Sequence, residues 1–311
     1  MIKDIVYATD ERYAPLMSVS LASLFLNNEN LQLSIHIIDN NISSSTREII
    51  KSYVENHGST CEFITISDYS CLSSHSLEVH KLSLSTYSRL LLANVLPDSI
   101  ESVLYIDCDT IVNDSLYSLL STDIEGYGVA GVEDAIDPIE KEKLGIDQTV
   151  RYLNAGILLL NLKYWRENNL FSKFTSFIDK FNGKVPFLDQ GIINGVINER
   201  IVLPLRYNVQ APIYAVHSYG RLLKYFNITQ FYSEKEYLES KLNPAIIHFT
   251  SFYIGRPWIS GCSHPLKDLY IKYEKSSPLK ISIWKCKEGL VNRLKNFVFY
   301  YMQPIYFYIK K

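Results

Sequence analysis

The sequence is poor in cysteine and contains no long apolar run. Its five cysteines are scattered, odd in number and never spaced as Cys-x-x-Cys, which argues against a disulfide framework or a zinc cluster and favours a reducing compartment. No apolar run approaches the ~20 residues that a membrane-spanning helix needs. The N-terminus reaches Asp4 without the apolar segment of a secretory signal, so we expect a cytoplasmic protein.

Glycine is missing from one place where it would be informative. Residues 9–15, which follow the first predicted strand, contain none. Sugar nucleotidyltransferases usually have a glycine-rich phosphate loop there, because the backbone must approach the phosphates closely. A nucleotidyltransferase that makes nucleotide sugars is therefore a disfavoured alternative.

The chain has no overall excess of basic charge. Its 311 residues include 31 Lys or Arg and 33 Asp or Glu, and a body of this kind is a poor candidate for nucleic-acid binding. The charge is unevenly distributed, because residues 272–311 hold nine basic and two acidic residues, a net charge of +7. Hydrophobic residues make up 47% of the chain, which predicts a globular protein with an acidic body and a basic tail.

Apolar strands and amphipathic helices alternate over the first 66 residues. Strands are predicted at residues 4–8, 33–38 and 61–66, and helices at residues 14–26 and 43–56. This alternation is typical of a parallel, doubly wound sheet. Asp10 would then lie at the carboxyl end of the first strand, where open α/β sheets bind ligands.

The functional argument depends most on residues 102–113. Residues 103–106 are apolar and predict a buried strand, and Asp107 and Asp109 follow at its end. With 15 Asp in the chain, about one Asp-x-Asp is expected by chance, so the position after a strand carries the signal. Two carboxylates at a sheet edge suit a hard divalent cation that also binds phosphate oxygens.

Polar residues interrupt two other apolar segments. A predicted helix over residues 85–96 carries Arg89 among leucines, and such a guanidinium needs an anionic partner, either a protein carboxylate or a phosphate. Residues 154–156 (NAG) precede a buried run. They predict either a close approach of the backbone to a ligand or a simple turn.

Two helices and a strand are predicted in the second half. Residues 163–182 are expected to form one helix with a core-facing aromatic stripe, and a helix from residue 186 to 198 would carry Asp189 and Gln190 in its first turn. Residues 245–248 predict a short strand that ends in His248. A lone histidine at such a place is more often a core residue than a ligand.

Taken together, these segments resemble the retaining glycosyltransferases of family 8, and most closely the bacterial galactosyl- and glucosyltransferases that extend lipooligosaccharide or lipopolysaccharide. The likeness runs from about residue 5 to residue 258. It rests on residues 5–10 (IVYATD), 86–90 (TYSRL), 105–109 (YIDCD), 154–162 (NAGILLLNL), Asp189 with Gln190, and His248 followed by residues 256–258 (RPW).

The resemblance implies a Rossmann-like GT-A domain with a mainly parallel central sheet, which we place at residues 1–271. It implies a UDP-sugar donor and a divalent metal bound by Asp107, Asp109 and His248. Oxygen and imidazole ligands both suit Mn²⁺, and the imidazole makes Mg²⁺ the second choice.

The same resemblance implies roles for further residues. Gln190, beneath the anomeric carbon, and Asp189 would be the catalytic pair, and Asp134 would contact the acceptor. An amide is a poor nucleophile, so front-face attack and a covalent route both stay open. The donor would be contacted by Ala8, Asp10, Arg89, Asp107, Cys108, Asn154, Ala155, Asp189, Gln190 and Arg256.

The chain departs from the family pattern after its metal-binding histidine. The segment from His248 to Trp258 is two residues longer than usual, and Arg256 stands where lysine is common. The positive charge is kept with a different donor geometry.

The expected activity is transfer of galactose or glucose from a UDP-sugar to a glycan on lipid or protein. The alternatives are a non-catalytic glycan-binding module on a degenerate transferase fold, and the nucleotidyltransferase.

Within the tail, residues 272–311, a helix from Leu290 would carry an apolar face and a basic face. We expect the tail to bind an anionic membrane surface on the cytoplasmic side. The alternative is a helix packed on the body with a solvated basic face.

Overall fold

Two β-sheets form the centre of the protein in the computed structural model, and the structure describes residues 1–66, 69–72, 84–281 and 290–304. The strands are β1 Asp4–Asp10, β2 Ser34–Asn40, β3 Thr60–Thr65, β4 Ser102–Ile106, β5 Thr110–Val112, β6 Val129–Glu133, β7 Leu153–Asn161, β8 Arg200–Val202, β9 Val209–Gln210 and β10 Ile246–His248. The seven-stranded sheet has the order β3-β2-β1-β4-β7-β6-β8, and the three-stranded sheet has the order β5-β10-β9.

Most neighbouring strands of the large sheet are parallel. Strand β1 pairs in this way with β2 and β4, β2 with β3, and β6 with β8. This confirms the predicted α/β class with a mainly parallel sheet. Strand β7 is the exception, since it runs antiparallel to both β4 and β6. Its first residues therefore lie beside the carboxyl end of β4, where Asp107 follows.

Helices cover both faces of the large sheet, because successive strand residues such as Ile5 and Val6 point into separate apolar cores. Helix α2 begins as predicted, with the Ser43 hydroxyl accepting the Thr46 N–H at 3.3 Å. The described helices are α1 Ala14–Asn27, α2 Ser44–Asn56, α3 Leu92–Val95, α4 Tyr117–Leu120, α5 Pro138–Lys143, α6 Leu162–Glu167, α7 Leu170–Lys180, α8 Leu188–Val196, α9 Ala211–Ala215, α10 Tyr219–Tyr225, α11 Glu234–Leu242, α12 Lys267–Ser276 and α13 Leu290–Tyr301.

Two predicted helices differ from the observed ones. Residues 85–96 form a 3-10 helix, Leu84–Leu91, followed by the short α3. The single helix predicted over residues 163–182 is wrong, because Asn169 has a left-handed backbone with φ of 55° and separates α6 from α7. Its aromatic stripe is core as expected, and Trp165 packs edge-on against Phe174 with ring centroids 5.1 Å apart.

In the described part of the chain after residue 266 there are two helices. Helix α12 contacts α1 in the body, and the Tyr273 hydroxyl accepts from Asn27 Nδ2 at 2.9 Å. Helix α13 confirms the predicted helix from Leu290. The prediction that the tail binds a membrane also involves the aromatic residues 306–308 and the basic residues 310 and 311, which lie outside the described residues. None of the helices in the described part of the chain has the length and apolar composition of a membrane span.

Candidate active site

A cavity of about 780 Å³ opens where the carboxyl ends of β1 and β4 meet the start of β7. Ala8 and Asp10 reach it from β1, residues 107–109 follow β4, and residues 154–156 begin β7. This is the ligand-binding edge of an open α/β sheet. The cavity also receives the first residues of α8, including Asp189 and Gln190, and His248 from the small sheet.

Strand register brings His248 to the two carboxylates. In the small sheet His248 pairs with Thr110, the residue after Asp109, and the N–H of Phe249 donates to the Asp109 carbonyl at 2.9 Å. His248 Nε2 lies 3.0 Å from Asp109 Oδ1 and 3.8 Å from Asp107 Oδ2. One ligand atom from each of Asp107, Asp109 and His248 lies within 4.8 Å of the other two. These three residues are called the acid–histidine cluster below.

This cluster fits a divalent cation in its geometry and chemistry. Adjacent ligand atoms of an octahedral ion are about 3 Å apart when each is about 2.1 Å from the metal. Burial would raise the pKa of Asp109, yet His248 and Arg256 hold that pKa at about 2. Burial would lower the pKa of His248, but Asp109 and Asp107 outweigh it and raise that pKa above 6.5. A cation would take the place of the imidazole proton, since a histidine ligand must be neutral.

Gly156 leaves the space that the His248 ring occupies. A Cβ atom at residue 156 would lie 2.2 Å from His248 Cε1 and 3.0 Å from Asp107 Oδ2. The Gly156 carbonyl meanwhile accepts the Asp107 N–H at 2.8 Å. The turn considered for residues 154–156 is wrong, because the segment is the start of a strand. The backbone at residue 156 instead lies close to side chains of the acid–histidine cluster, and the expected approach to a ligand stays a prediction.

Arg89 is 5% exposed and joins four segments of the chain. Its Nε lies 2.6 Å from Asp189 Oδ2 and its Nη2 lies 2.9 Å from Asp107 Oδ1, while Nη1 donates to the Ala155 carbonyl. The guanidinium also lies 4.2 Å from the centre of the Tyr105 ring. The anionic partner predicted for Arg89 is thus a pair of protein carboxylates. Burial raises the pKa of Asp189 to about 6 against the opposing charge of Arg89.

Gln190 is held in one orientation by its neighbours. The Asp134 carboxylate accepts from three side-chain amides, Gln190 Nε2 at 3.1 Å, Asn154 Nδ2 at 3.1 Å and Gln210 Nε2 at 3.2 Å. A carboxylate with three donors can only accept, so the Gln190 amide nitrogen must face Asp134. The Gln190 oxygen accepts the Ala155 N–H at 3.0 Å. Burial raises the pKa of Asp134, although the three amides oppose it.

The remaining sequence-predicted residues lie around the same cavity. Cys108 Sγ donates to the Ala8 carbonyl at 3.2 Å, and burial raises the pKa of this thiol. Asp10 lines the cavity at the end of β1. Arg256 Nη2 lies 3.3 Å from Asp109 Oδ2. All the residues singled out from the sequence are therefore brought together, with Asp134 joined to the others through its amide partners.

Sequence reasoning missed Asn208 and Gln210. Asn208 is fully buried and bonds to His248 and Asn154, and Gln210 bonds to Asp134. The available signal was weak, because two amides on either side of Val209 share one side of an extended segment. Nothing in that spacing indicates which other segment they meet.

Comparison with known proteins identifies the family of this chain. The model of glycosyl transferase family 8 matches residues 4–261. General stress protein A of Bacillus subtilis is 28% identical over 278 residues, which cover 88% of this chain and 93% of that protein. A lipopolysaccharide 1,2-glucosyltransferase of Escherichia coli is 23% identical over 281 residues, 88% of this chain and 78% of the relative.

A solved structure has the same architecture. The crystal structure of the galactosyltransferase LgtC, in complex with donor and acceptor sugar analogues, matches with a TM-score of 0.74 and 24% identity, covering 88% of this chain and 96% of LgtC. The likeness confirms the predicted GT-A fold. Together with the family match over most of its length, it shows that this chain is a glycosyltransferase of family 8.

Proposed function

We propose that this protein is a metal-dependent retaining hexosyltransferase, which moves galactose or glucose from a UDP-sugar to a hydroxyl of a glycan. One observation carries the proposal. The Asp107, Asp109 and His248 cluster and the Arg89, Asp189 and Gln190 group open into one cavity. A nucleotide-sugar donor needs both groups at once, because its diphosphate calls for a cation and its sugar for hydrogen-bonding side chains.

The acid–histidine cluster would bind the donor diphosphate through Mn²⁺, with Mg²⁺ as the second candidate. When bound, the ion would neutralise negative charge that develops on the departing UDP. Arg256 would add a fixed positive charge beside Asp109, which it already contacts at 3.3 Å. Ala8 and Asp10, at the end of β1, would contact the uracil and ribose.

The opposite part of the cavity would hold the sugar. Arg89, Asn154 and Asp189 would contact its hydroxyls, and the Gln190 amide would lie beneath the anomeric carbon. Asp189 is already ion-paired with Arg89 at 2.6 Å, and a carboxylate so engaged is a weakened nucleophile. This favours front-face attack, in which the acceptor hydroxyl approaches on the leaving-group side and the departing phosphate takes its proton.

The choice of donor and acceptor follows the named functions of similar proteins. One is a lipopolysaccharide glucosyltransferase and another is a galactosyltransferase solved with sugar analogues. We therefore propose UDP-glucose or UDP-galactose as donor and a lipid- or protein-linked glycan as acceptor. Asp134, next to Gln190, would contact the acceptor.

The proposed membrane-associating tail spans residues 272–311. On helix α13 the side chains of Leu294, Phe297 and Tyr301 are 62%, 52% and 61% exposed. Their spacing of three and four residues places them on one face. A lipid surface would cover this face, and each basic residue near anionic lipid adds about 1 kcal/mol. The tail would hold the enzyme on the cytoplasmic face of the membrane, near a lipid-linked acceptor.

A screen of UDP-sugars with Mn²⁺, read as UDP release with and without a glycan acceptor, tests the proposal. We expect release with UDP-galactose or UDP-glucose, loss of release in EDTA and recovery on adding Mn²⁺. Product NMR should give the same anomeric configuration as the donor. Asp109→Asn should lower turnover by orders of magnitude, whereas Asp98→Asn should not, since Asp98 has a 95% exposed side chain. Full activity in EDTA would refute the metal dependence.

A further inference from the structure

A fully buried amide lies between the two halves of the site. Asn208 is 0% exposed. Its Oδ1 is 3.1 Å from His248 Nδ1, and its Nδ2 donates to Asn154 Oδ1 at 2.8 Å. Each end of one side chain therefore contacts a residue that the proposed function uses, His248 on the metal side and Asn154 on the sugar side.

The direction of these hydrogen bonds follows from a backbone group. The Gly156 N–H donates to Asn154 Oδ1 at 3.0 Å, and a backbone N–H can only donate, so the Asn154 oxygen must face it. Asn208 must then present its NH₂ to that same oxygen and its own oxygen to His248. An amide oxygen can only accept, which places a hydrogen on Nδ1 of His248 and leaves Nε2 of the neutral ring free to bind a cation.

The backbone holds Asn208 at this point. It follows the 3-10 helix Leu205–Tyr207, and its N–H donates to the Leu205 carbonyl at 3.1 Å. The next two residues form β9, in which Gln210 pairs with His248 of β10. The amide thus directly precedes β9, whose register with β10, the strand of the imidazole, is fixed.

We propose that Asn208 is a positioning residue that fixes the tautomer and orientation of His248. Through its hydrogen bond to Asn154, it also fixes the position of this sugar-side residue relative to the metal ligands. The inference rests on the proposed metal dependence. Hydrogen-bond partners of metal-bound histidines commonly change metal affinity about 10- to 100-fold when they are removed.

The test measures Mn²⁺ binding without donor, by the EPR signal of free Mn²⁺. Asn208→Ala removes the acceptor of the His248 hydrogen and should weaken Mn²⁺ binding about 10- to 100-fold. Asn208→Asp keeps an acceptor there but sets an oxygen against Asn154 Oδ1, so it should retain Mn²⁺ binding and lose turnover. Asn28→Ala is a matched control, because Asn28 is also buried and bonds to Leu24 and Leu116 far along the chain. It should leave Mn²⁺ binding unchanged.

The outcomes separate this inference from the proposed function. A wild-type protein that binds no Mn²⁺ would refute the metal dependence. Normal wild-type binding with unchanged binding in Asn208→Ala would overturn the role of Asn208 alone. One further measurement uses only the wild-type protein, so it does not depend on whether a variant folds. Long-range ¹H–¹⁵N NMR with a diamagnetic divalent cation bound (Mg²⁺ or Zn²⁺) should place the proton of His248 on Nδ1, and a proton on Nε2 in that bound state would overturn the inference.

A separate observation concerns Phe299 on helix α13, which is fully buried although Phe297 on the same helix is 52% exposed. The Phe299 ring stacks on Tyr253 with centroids 3.9 Å apart and meets the Phe252 ring edge-on at 5.5 Å. Both partners belong to the segment between His248 and Arg256, the segment that is longer than the family pattern. Other residues of that segment line the cavity.

We infer that Phe299 positions the segment that carries Arg256, and that helix α13 thereby supports donor binding even without a membrane. This rests on the proposed role of Arg256 at the donor phosphates. Weakening one charged hydrogen bond to a phosphate costs about tenfold in affinity. Phe299→Ala should raise the donor KM about tenfold with little change in kcat, and Phe299→Leu should restore most of it. Tyr117→Ala is the control, because the Tyr117 ring is 60% exposed on α4, away from the cavity and the tail, and it should leave the donor KM unchanged.

Amide exchange in the wild-type protein gives a second measurement. Coupling between two sites is reciprocal, so UDP binding should slow exchange in residues 294–301. If wild-type protein binds UDP but neither this exchange nor the KM of Phe299→Ala changes, the role of Phe299 is wrong. A wild-type protein that binds no UDP would instead refute the proposed donor.

Discussion

Replacing Gly156 with alanine introduces one methyl group at the contact between β7 and the acid–histidine cluster. The added Cβ would lie 2.2 Å from His248 Cε1 and 2.6 Å from His248 Nδ1. Ordinary contact between carbon atoms begins at about 3.5 Å, so the ring would have to move by more than about 1 Å. His248 cannot make that movement freely, because its strand is paired on both sides and Asn208 holds its Nδ1.

The expected loss of function follows from this displacement. A misplacement of about 1 Å at a reacting centre costs about 100-fold in rate, or about 2.7 kcal/mol of transition-state stabilisation. Overpacking adds about 1–3 kcal/mol of lost folding stability. We expect Gly156→Ala to remain folded at 25 °C with kcat/KM for transfer reduced about 100-fold and Mn²⁺ binding weakened. UDP release, Mn²⁺ titration and thermal unfolding measure these three effects separately.

Gly220→Ala is the matched control. Gly220 lies in α10, and a Cβ there would meet no described atom within 4 Å. The same methyl group should leave activity unchanged, and it should stabilise the helix by up to about 1 kcal/mol. If Gly156→Ala turned over donor and bound Mn²⁺ like the wild type, the ring of His248 would not occupy the position described, and the steric reasoning would be refuted.

Three other predictions concern separate parts of the molecule. Burial lowers the pKa of His264 to about 3. Below about pH 6.5 the imidazole is therefore protonated in the unfolded chain but not in the folded protein, and the free energy of unfolding should fall by about 2 kcal/mol between pH 7 and pH 5. His264→Asn, which keeps an acceptor for the Leu266 N–H, should remove that share in urea unfolding; an unchanged pH dependence would contradict the assignment. Gln190→Ala should keep measurable transfer with retained configuration, by product NMR, whereas trapping a glycosylated carboxylate by mass spectrometry would favour a covalent route. Leu294→Ser combined with Phe297→Ser should reduce co-sedimentation with anionic liposomes while transfer to a soluble acceptor is kept; undiminished co-sedimentation would count against the membrane-binding face.

The sequence predicts those parts of the site that are determined by residues close together along the chain. Asp107 and Asp109 follow an apolar run that is a strand because of its own residues. Arg89 stands alone among leucines, and the cost of burying a guanidinium requires the carboxylates that the structure places beside it.

The direction of β7 could not be predicted in this way. A short apolar run buried on both faces reads alike whether its strand is parallel or antiparallel to its neighbours. Yet this direction decides which residues meet, since the antiparallel β7 sets Gly156 beside Asp107. The break between α6 and α7 depends likewise on the left-handed backbone of Asn169, and the residue type alone does not impose that conformation.

The contacts of the Arg89 guanidinium also make transfer activity depend on complete folding of the chain. Its partners follow it by 18, 66 and 100 residues along the chain, so each contact closes a long loop and is formed only when distant segments have docked. An intermediate that lacked one of these segments would bury a charge without its counterions, at a cost of several kcal/mol. Refolding protein should therefore regain transfer activity only at its last cooperative transition. Transfer activity is then a stricter test of native structure than helix content.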